Sequence, residues 1–177
     1  METLVVVDEN DQVIGYESRE KCHEGSGIRH RAFVVFIFNS KNELLIAKRS
    51  EFKKLWPNYW DLSCASHVYP NEDYKSAAER RLPQELGFKC NLKYLFKFVY
   101  QAPYKDVGSE NEVCAVLIGK YDGEVKPNPK EVAEWKFINL KELEEEITNE
   151  DRYTPWFRIA FEKLKKYNLE NLLETLP

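Results

Sequence analysis

The 177-residue chain is 43% hydrophobic and 14% aromatic, enough apolar side chain to bury a substantial core in one domain spanning residues 1–177. Its net charge of −4, with acids and bases interspersed, argues against a nucleic-acid footprint and leaves any anion-binding region to be local. No apolar run approaches membrane-spanning length, METLVVVDENDQ lacks the features of an export signal, and Cys22, Cys64, Cys90 and Cys114 form no CxxC, so a cytoplasmic protein with reduced thiols is expected.

In chain order, residues 3–16 read as a hairpin whose apolar runs flank an acidic, Asn-containing turn, covering one sheet edge. SREKCHEGSGIRH follows as a short helix or loop, with His23 and His30 on either side of Gly25 and Gly27. AFVVFIFNSKNELLIAKRS predicts a second hairpin at the centre of the sheet, turning at residues 39–42. EFKKLWPNYW is a loop pinned by aromatics and Pro57, leading into WDLSCASHVYPNEDYKSAAERRLPQELGF, read as strand, loop and helix. That helix is predicted over about residues 72–86, with Asn71 as its N-cap, Glu72 and Asp73 in its first turn and Gly87 as its left-handed stop. Strands are expected near 91–102, 111–120 and WKFINL, with helices at 140–147 and 155–173. Strands before, between and after helices imply an α/β (α+β) fold, a mixed β-sheet sandwiched by helices.

On the 72–86 helix Arg81 and Glu85 stand four apart on one face, a guanidinium for an anion beside a carboxylate for a cation. That pairing suits a metal-bound diphosphate; on its own it describes an ordinary solvent-facing salt bridge as readily. The three histidines sit at loops or strand ends outside any apolar periodicity. Glu110 and Glu112, alternate residues entering a strand, can present two carboxylates to one ion. Lys48, Arg49, Lys53 and Lys54 form a basic cluster that reads equally as a hydrated surface patch.

Glu72, Arg80, Glu85 and Gly87 fall on the spacing of the Nudix box, with Arg81 and Gln84 standing where that box has two further acids. RRxxxELG preceded by a CxSH-like loop resembles type I isopentenyl-diphosphate delta-isomerases, a Nudix-fold family, and the resemblance runs over about residues 4–165. It implies an αβα sandwich and one divalent metal, Zn²⁺, Mn²⁺ or Mg²⁺, held by His23, His30, His67, Glu110 and Glu112. It further implies Mg²⁺ carried with the diphosphate at Glu85, diphosphate contacts from Arg49, Lys53 and Arg81, with Arg19 in place of an upstream lysine, and Trp156 over the prenyl group. Glu112 and Tyr100 would be catalytic. The family's catalytic cysteine falls at Ala65, in SCASH; its neighbour Cys64, the fallback for that role, is expected to point away by strand alternation unless the loop is bulged there. Pro83 is a second departure, removing one helical hydrogen bond and inviting a kink near Glu85.

The expected activity is interconversion of isopentenyl and dimethylallyl diphosphate, weakened by Ala65. The alternatives are a Nudix diphosphate hydrolase or a non-catalytic prenyl-diphosphate binder. The partner is a small-molecule prenyl diphosphate, not nucleic acid or a membrane, and the protein is expected to be a monomer, with a homodimer the alternative.

Overall fold

A computed structural model describes residues 2–176. Its nine strands form one mixed sheet. The expected first hairpin is β1 (Thr3–Val7) with β2 (Val13–Ser18), and β2 lies at the sheet edge. A four-residue helix, α1 (Arg19–Cys22), leads to β3 (His30–Phe38), which is buried over nearly its whole length because neighbours cover both its edges and helices cover both its faces.

The second hairpin departs from expectation. β3 and β4 (Leu44–Arg49) pair only at Ile37–Leu45 and Phe38–Leu44. Beyond that point they diverge: β4 runs along β9 (Val132–Ile138) and β5 (Trp60–Asp61), and β6 (Cys64–His67) takes its place beside Ala32–Val35. Ser63 fills the fork, its hydroxyl donating to the Leu45 carbonyl at 2.6 Å and accepting from the Ile37 N–H at 2.9 Å. The backbone groups that the divergence would orphan are thereby satisfied. On the other side of β3, β8 (Gly108–Lys120) runs parallel to it and forms a long hairpin with β7 (Lys93–Tyr104).

Strand alternation sorts side chains to two faces. Ala32, Val34, Phe36 and Phe38 pack with Cys114, Val116 and Ile118 against α3 (Leu140–Asn149), α4 (Pro155–Leu164) and α5 (Leu169–Glu174). Phe33, Val35 and Ile37 pack on the opposite face against Ala77, Ala78, Leu82 and Leu86 of α2 (Tyr74–Leu86). The result is the expected αβα sandwich.

Several boundaries differ from the sequence reading, β8 among them, which begins at Gly108, three residues before the expected 111. α2 starts at Tyr74, and its N-cap is Asp73, not Asn71: the Asp73 carboxylate accepts from Ser76 N at 2.7 Å while the Ser76 hydroxyl accepts from Asp73 N. Asn71 instead takes a left-handed turn (φ 69°), and Glu72 lies before the helix. The predicted helix over 155–173 divides into α4 and α5, because Asn168 caps a fresh start by accepting from Asn171 N. Strand β9 begins at Val132, three residues before WKFINL. Gly87 ends α2 in the left-handed conformation as expected (φ 79°), and the helix runs on through Pro83 to Leu86.

Candidate active site

Register builds the site on the face that carries α3 to α5. The parallel pairing of β3 with β8 sets His30 beside Glu112, and the antiparallel pairing of β3 with β6 sets His67 beside Ala32. Glu110 and Glu112 project to the same side because they alternate on β8. His23 arrives from the C-terminus of α1, where Gly25 and Gly27 turn the chain with φ of 56° and 77°. The three imidazole rings are mutually 4.9–5.0 Å apart between centroids, and one ligand atom from each of His23, His30, His67, Glu110 and Glu112 lies within 4.8 Å of all the others. All five residues are buried.

The chemistry of this cluster fits a cation. His23 Nδ1 lies 2.6 Å from the Arg19 carbonyl and His30 Nδ1 lies 2.7 Å from the Ile28 carbonyl. A carbonyl can only accept, so both Nδ1 atoms carry hydrogen and the neutral rings turn their Nε2 lone pairs inward. Those lone pairs face carboxylates: His23 Nε2 stands 2.9 Å from Glu110 Oε2, and His30 Nε2 stands 3.6 Å from Glu112 Oε1. His30 Nε2 and Glu110 Oε2 have no hydrogen-bond partner among the described residues, and buried acceptors facing one another are stable only around a positive charge. Burial opposes the His30 imidazolium, yet Cys22 and the Glu112 and Glu110 carboxylates raise its pKa to about 10. Burial and the two neighbouring histidines push His67 well below its ordinary value. One ligand atom from each of the five residues could therefore be shared by a single divalent ion.

Glu112 also reaches away from the cluster. It accepts from Tyr100 Oη at 2.6 Å, an alignment set by the direct pairing of Tyr100 with Glu112 across β7 and β8. Burial would raise the Glu112 pKa, but the neighbouring His30 imidazole and the hydrogen bond from Tyr100 hold it below the usual carboxylate value. Arg19, Lys53, Ala65, His67, Arg81, Tyr100, Glu112 and Trp156 all line one narrow cleft above Val34. A larger cleft of about 320 Å³ adjoins it, walled by Arg19, Arg49, Lys53, Lys54, Lys130 and Glu131.

The sequence of residues 28–157 matches the NUDIX domain. The isopentenyl-diphosphate Delta-isomerase 1 of Photorhabdus laumondii is 42% identical to this chain, covering 97% of it and 99% of that protein. The corresponding isomerases of Aromatoleum aromaticum and Serratia proteamaculans are 37% and 34% identical, each covering at least 91% of both chains. The chain belongs to the isopentenyl-diphosphate Delta-isomerase family of NUDIX domains. At the level of fold alone, a Deinococcus radiodurans crystal structure superimposes with a TM-score of 0.76 at 23% identity over 92% of this chain and 98% of that one. A MutT protein of Methanosarcina mazei does so with a TM-score of 0.65 at 22% identity over 78% and 94%.

Of the NUDIX-box positions, Arg81 lines this cleft and Glu85 lines the smaller pocket beside it. Arg80 binds Glu72 at 3.0 Å and the His67 carbonyl at 3.2 Å, so it ties the start of the helix to the histidine loop. Arg81 and Glu85 pair at 2.6 Å, as their spacing predicts. Ala65 turns its methyl group into the cleft, while Cys64 is fully buried on the α2 face with no bulge between them. Burial and the nearby Glu85 push the Cys64 thiol pKa well up. Arg49 lines the cleft, but three of its N–H groups are engaged by Asp61 and by the Leu55 and Trp56 carbonyls, and its guanidinium lies over Trp156 at 5.2 Å. Arg19 is half exposed and pairs with Glu2.

Three residues that sequence reasoning passed over organise this wall. Asp61, fully buried, accepts from Trp156 Nε1 at 2.8 Å, from Thr154 Oγ1 and from Arg49. It sits 95 residues from Trp156 in the chain, and no motif signals the contact. Trp56 packs edge-on against Trp156 at 5.1 Å and beside Tyr104, closing the aromatic end. Glu131, in the loop before β9, bonds both Lys53 and Arg81.

Proposed function

We propose that this chain binds isopentenyl diphosphate in the cleft between Trp156 and the histidine cluster, and interconverts it slowly with dimethylallyl diphosphate. The observation that carries this reading is the placement of Glu112 and Ala65 on one cleft whose far end is aromatic and whose mouth is basic. Isomerisation adds a proton to the terminal alkene carbon and removes one from C2, through a tertiary cation at C3. Two opposed proton-transfer groups are required. Glu112, bonded to Tyr100, supplies one; the methyl group of Ala65 supplies none. Trp156 and Tyr100 turn aromatic surface to the cleft, where it excludes water and favours a carbocation.

Lys53 and Arg81 meet the diphosphate, with Arg49 and Arg19 at the rim. Glu85, buried beside Arg81, would hold Mg²⁺ together with phosphate oxygens, since that ion is usually bound by few carboxylates plus phosphate and water. His23, His30, His67, Glu110 and Glu112 would hold Zn²⁺, Mn²⁺ or Mg²⁺, whose charge would orient Glu112 and stabilise its anionic form. A hydrolytic reading is disfavoured by Arg81 and Gln84, which bond one another at 3.1 Å where a NUDIX hydrolase needs metal-binding acids. We further read the protein as a single-domain cytoplasmic monomer acting on a small molecule, in keeping with its interspersed surface charge. No helix of the described residues is long and apolar enough to cross a membrane.

The test is conversion of isopentenyl to dimethylallyl diphosphate, alongside calorimetry against nucleoside diphosphates. Slow isomerisation with tighter prenyl-diphosphate binding supports the reading; release of phosphate, or tighter binding of a nucleotide, refutes it.

A further inference from the structure

Glu131 lies in a loop whose backbone is pinned. Its N–H donates to the Asn128 carbonyl at 2.9 Å, its carbonyl accepts from Ser50 N at 3.1 Å, and Ser50 Oγ donates to the neighbouring Lys130 carbonyl at 2.6 Å. These bonds also fasten this loop to the one that carries Lys53. Its side chain is therefore the part free to move. One oxygen of that side chain, Oε2, takes both Lys53 Nζ and, at 3.2 Å, an Arg81 nitrogen. This is the arrangement a phosphate oxygen would adopt between the same two cations.

We propose that Glu131 is a carboxylate latch: in the free protein it occupies Lys53 and Arg81, and a diphosphate must displace it to reach them. The inference rests on reading the cleft as a diphosphate site. Burial opposes the charge on Glu131, but Lys53 and Arg81 outweigh it and hold its pKa below the ordinary value, so the carboxylate is ionised at neutral pH. With Glu85 also on Arg81, two cations and two anions balance. An entering diphosphate meets a locally neutral surface until Glu131 turns away. The large cleft borders Glu131 on one side and a smaller pocket shared with Glu85 and Ala65 borders it on the other, so a rotamer change suffices. In function the latch keeps two cations positioned without a ligand, and it lowers the affinity for any anion too weakly charged to displace it.

The experiment titrates inorganic pyrophosphate by calorimetry into the protein as purified, without added magnesium. Glu131→Gln should bind pyrophosphate about tenfold tighter, as expected when one competing ion pair is removed. Glu131→Ala should shift affinity in the same direction and guards against a fault peculiar to the amide. Glu124→Gln removes the same charge from an exposed pair with Lys126 and should leave affinity within about twofold. Equal or weaker binding by folded Glu131 variants, with the unmodified chain still binding, overturns the latch and leaves the anion site standing. Absence of binding in every chain overturns the diphosphate reading of the cleft and the latch with it.

Discussion

Replacing Ala65 with cysteine should raise isomerase activity by about a hundred- to ten-thousandfold, the usual contribution of a positioned proton-transfer group, equivalent to about 3–5 kcal/mol in the barrier. The geometry supports a gain of that size. Ala65 on β6 pairs with Val34 on β3, and Glu112 lies on β8 at the other side of β3. At ordinary strand spacing β6 and β8 are about 10 Å apart across β3, and the two positions are offset by about 13 Å along it, from Val34 to His30; both line the cleft, so a ligand lying obliquely over β3 has a thiol toward one end and a carboxylate toward the other. The side chain at 65 is only partly buried and points into the cleft, so one added sulfur displaces no packed neighbour and should change stability by under ~0.5 kcal/mol. Cys64→Ser is the control, because Cys64 faces α2 on the side of β6 opposite Ala65. The assay is the rate of dimethylallyl diphosphate formation, with substrate affinity measured separately. Strong activity in the unmodified chain that vanishes in Cys64→Ser would refute the assignment. An Ala65→Cys chain that binds substrate normally yet stays inactive would refute it from the other side.

Elemental analysis should find one divalent ion per chain at the histidine cluster, and His67→Ala should weaken its binding by roughly a hundredfold or more, since loss of even an indirect ligand partner costs up to about that much; a His67→Ala chain with full metal content would sink the site. Asp61→Asn leaves Arg49 facing a neutral amide at a buried site and should destabilise the protein by about 3–5 kcal/mol in urea unfolding, with weaker substrate binding through misplaced Trp156. Gly87→Ala puts a methyl group 2.6 Å from the Lys126 carbonyl at a left-handed position and should cost about 1–3 kcal/mol by the same measurement; an unchanged midpoint would mean that this helix stop is not constrained. Asp11 predicts acid sensitivity: burial would raise its pKa, but Lys97, Arg31 and Tyr74 outweigh it and hold the folded value low. Its stabilisation is thus present above the unfolded value of about 3.9 and is lost as pH falls through the folded value. Asp11→Asn should flatten that part of the stability-versus-pH curve, and an unaltered curve would refute the linkage.

Local periodicity made much of this protein legible. The left-handed stop at Gly87, the Arg81–Glu85 pair and the shared face of Glu110 and Glu112 each depend on positions within one turn or one strand. Local spacing also put Cys64 and Ala65 on opposite faces of β6, because side chains alternate wherever a strand carries no bulge. The histidines were recognisable as candidates, but their convergence came from a family resemblance, since nothing local brings residues 23, 30 and 67 together. Where two local signals competed, tertiary structure chose: Asn71 and Asp73 can both cap a helix, and Asp73 does so because the chain turns left-handed at Asn71 while Glu72 is drawn to Arg80. Nor could the sequence show β6 wedging between β3 and β4, because a buried apolar strand accepts several partners and Ser63 alone satisfies the fork. Glu131 meets Lys53 across 78 residues and Asp61 meets Trp156 across 95. Groups so far apart in the chain interact only after the sheet has closed, when exclusion of water strengthens both the Lys53–Glu131 ion pair and the Asp61–Trp156 hydrogen bond.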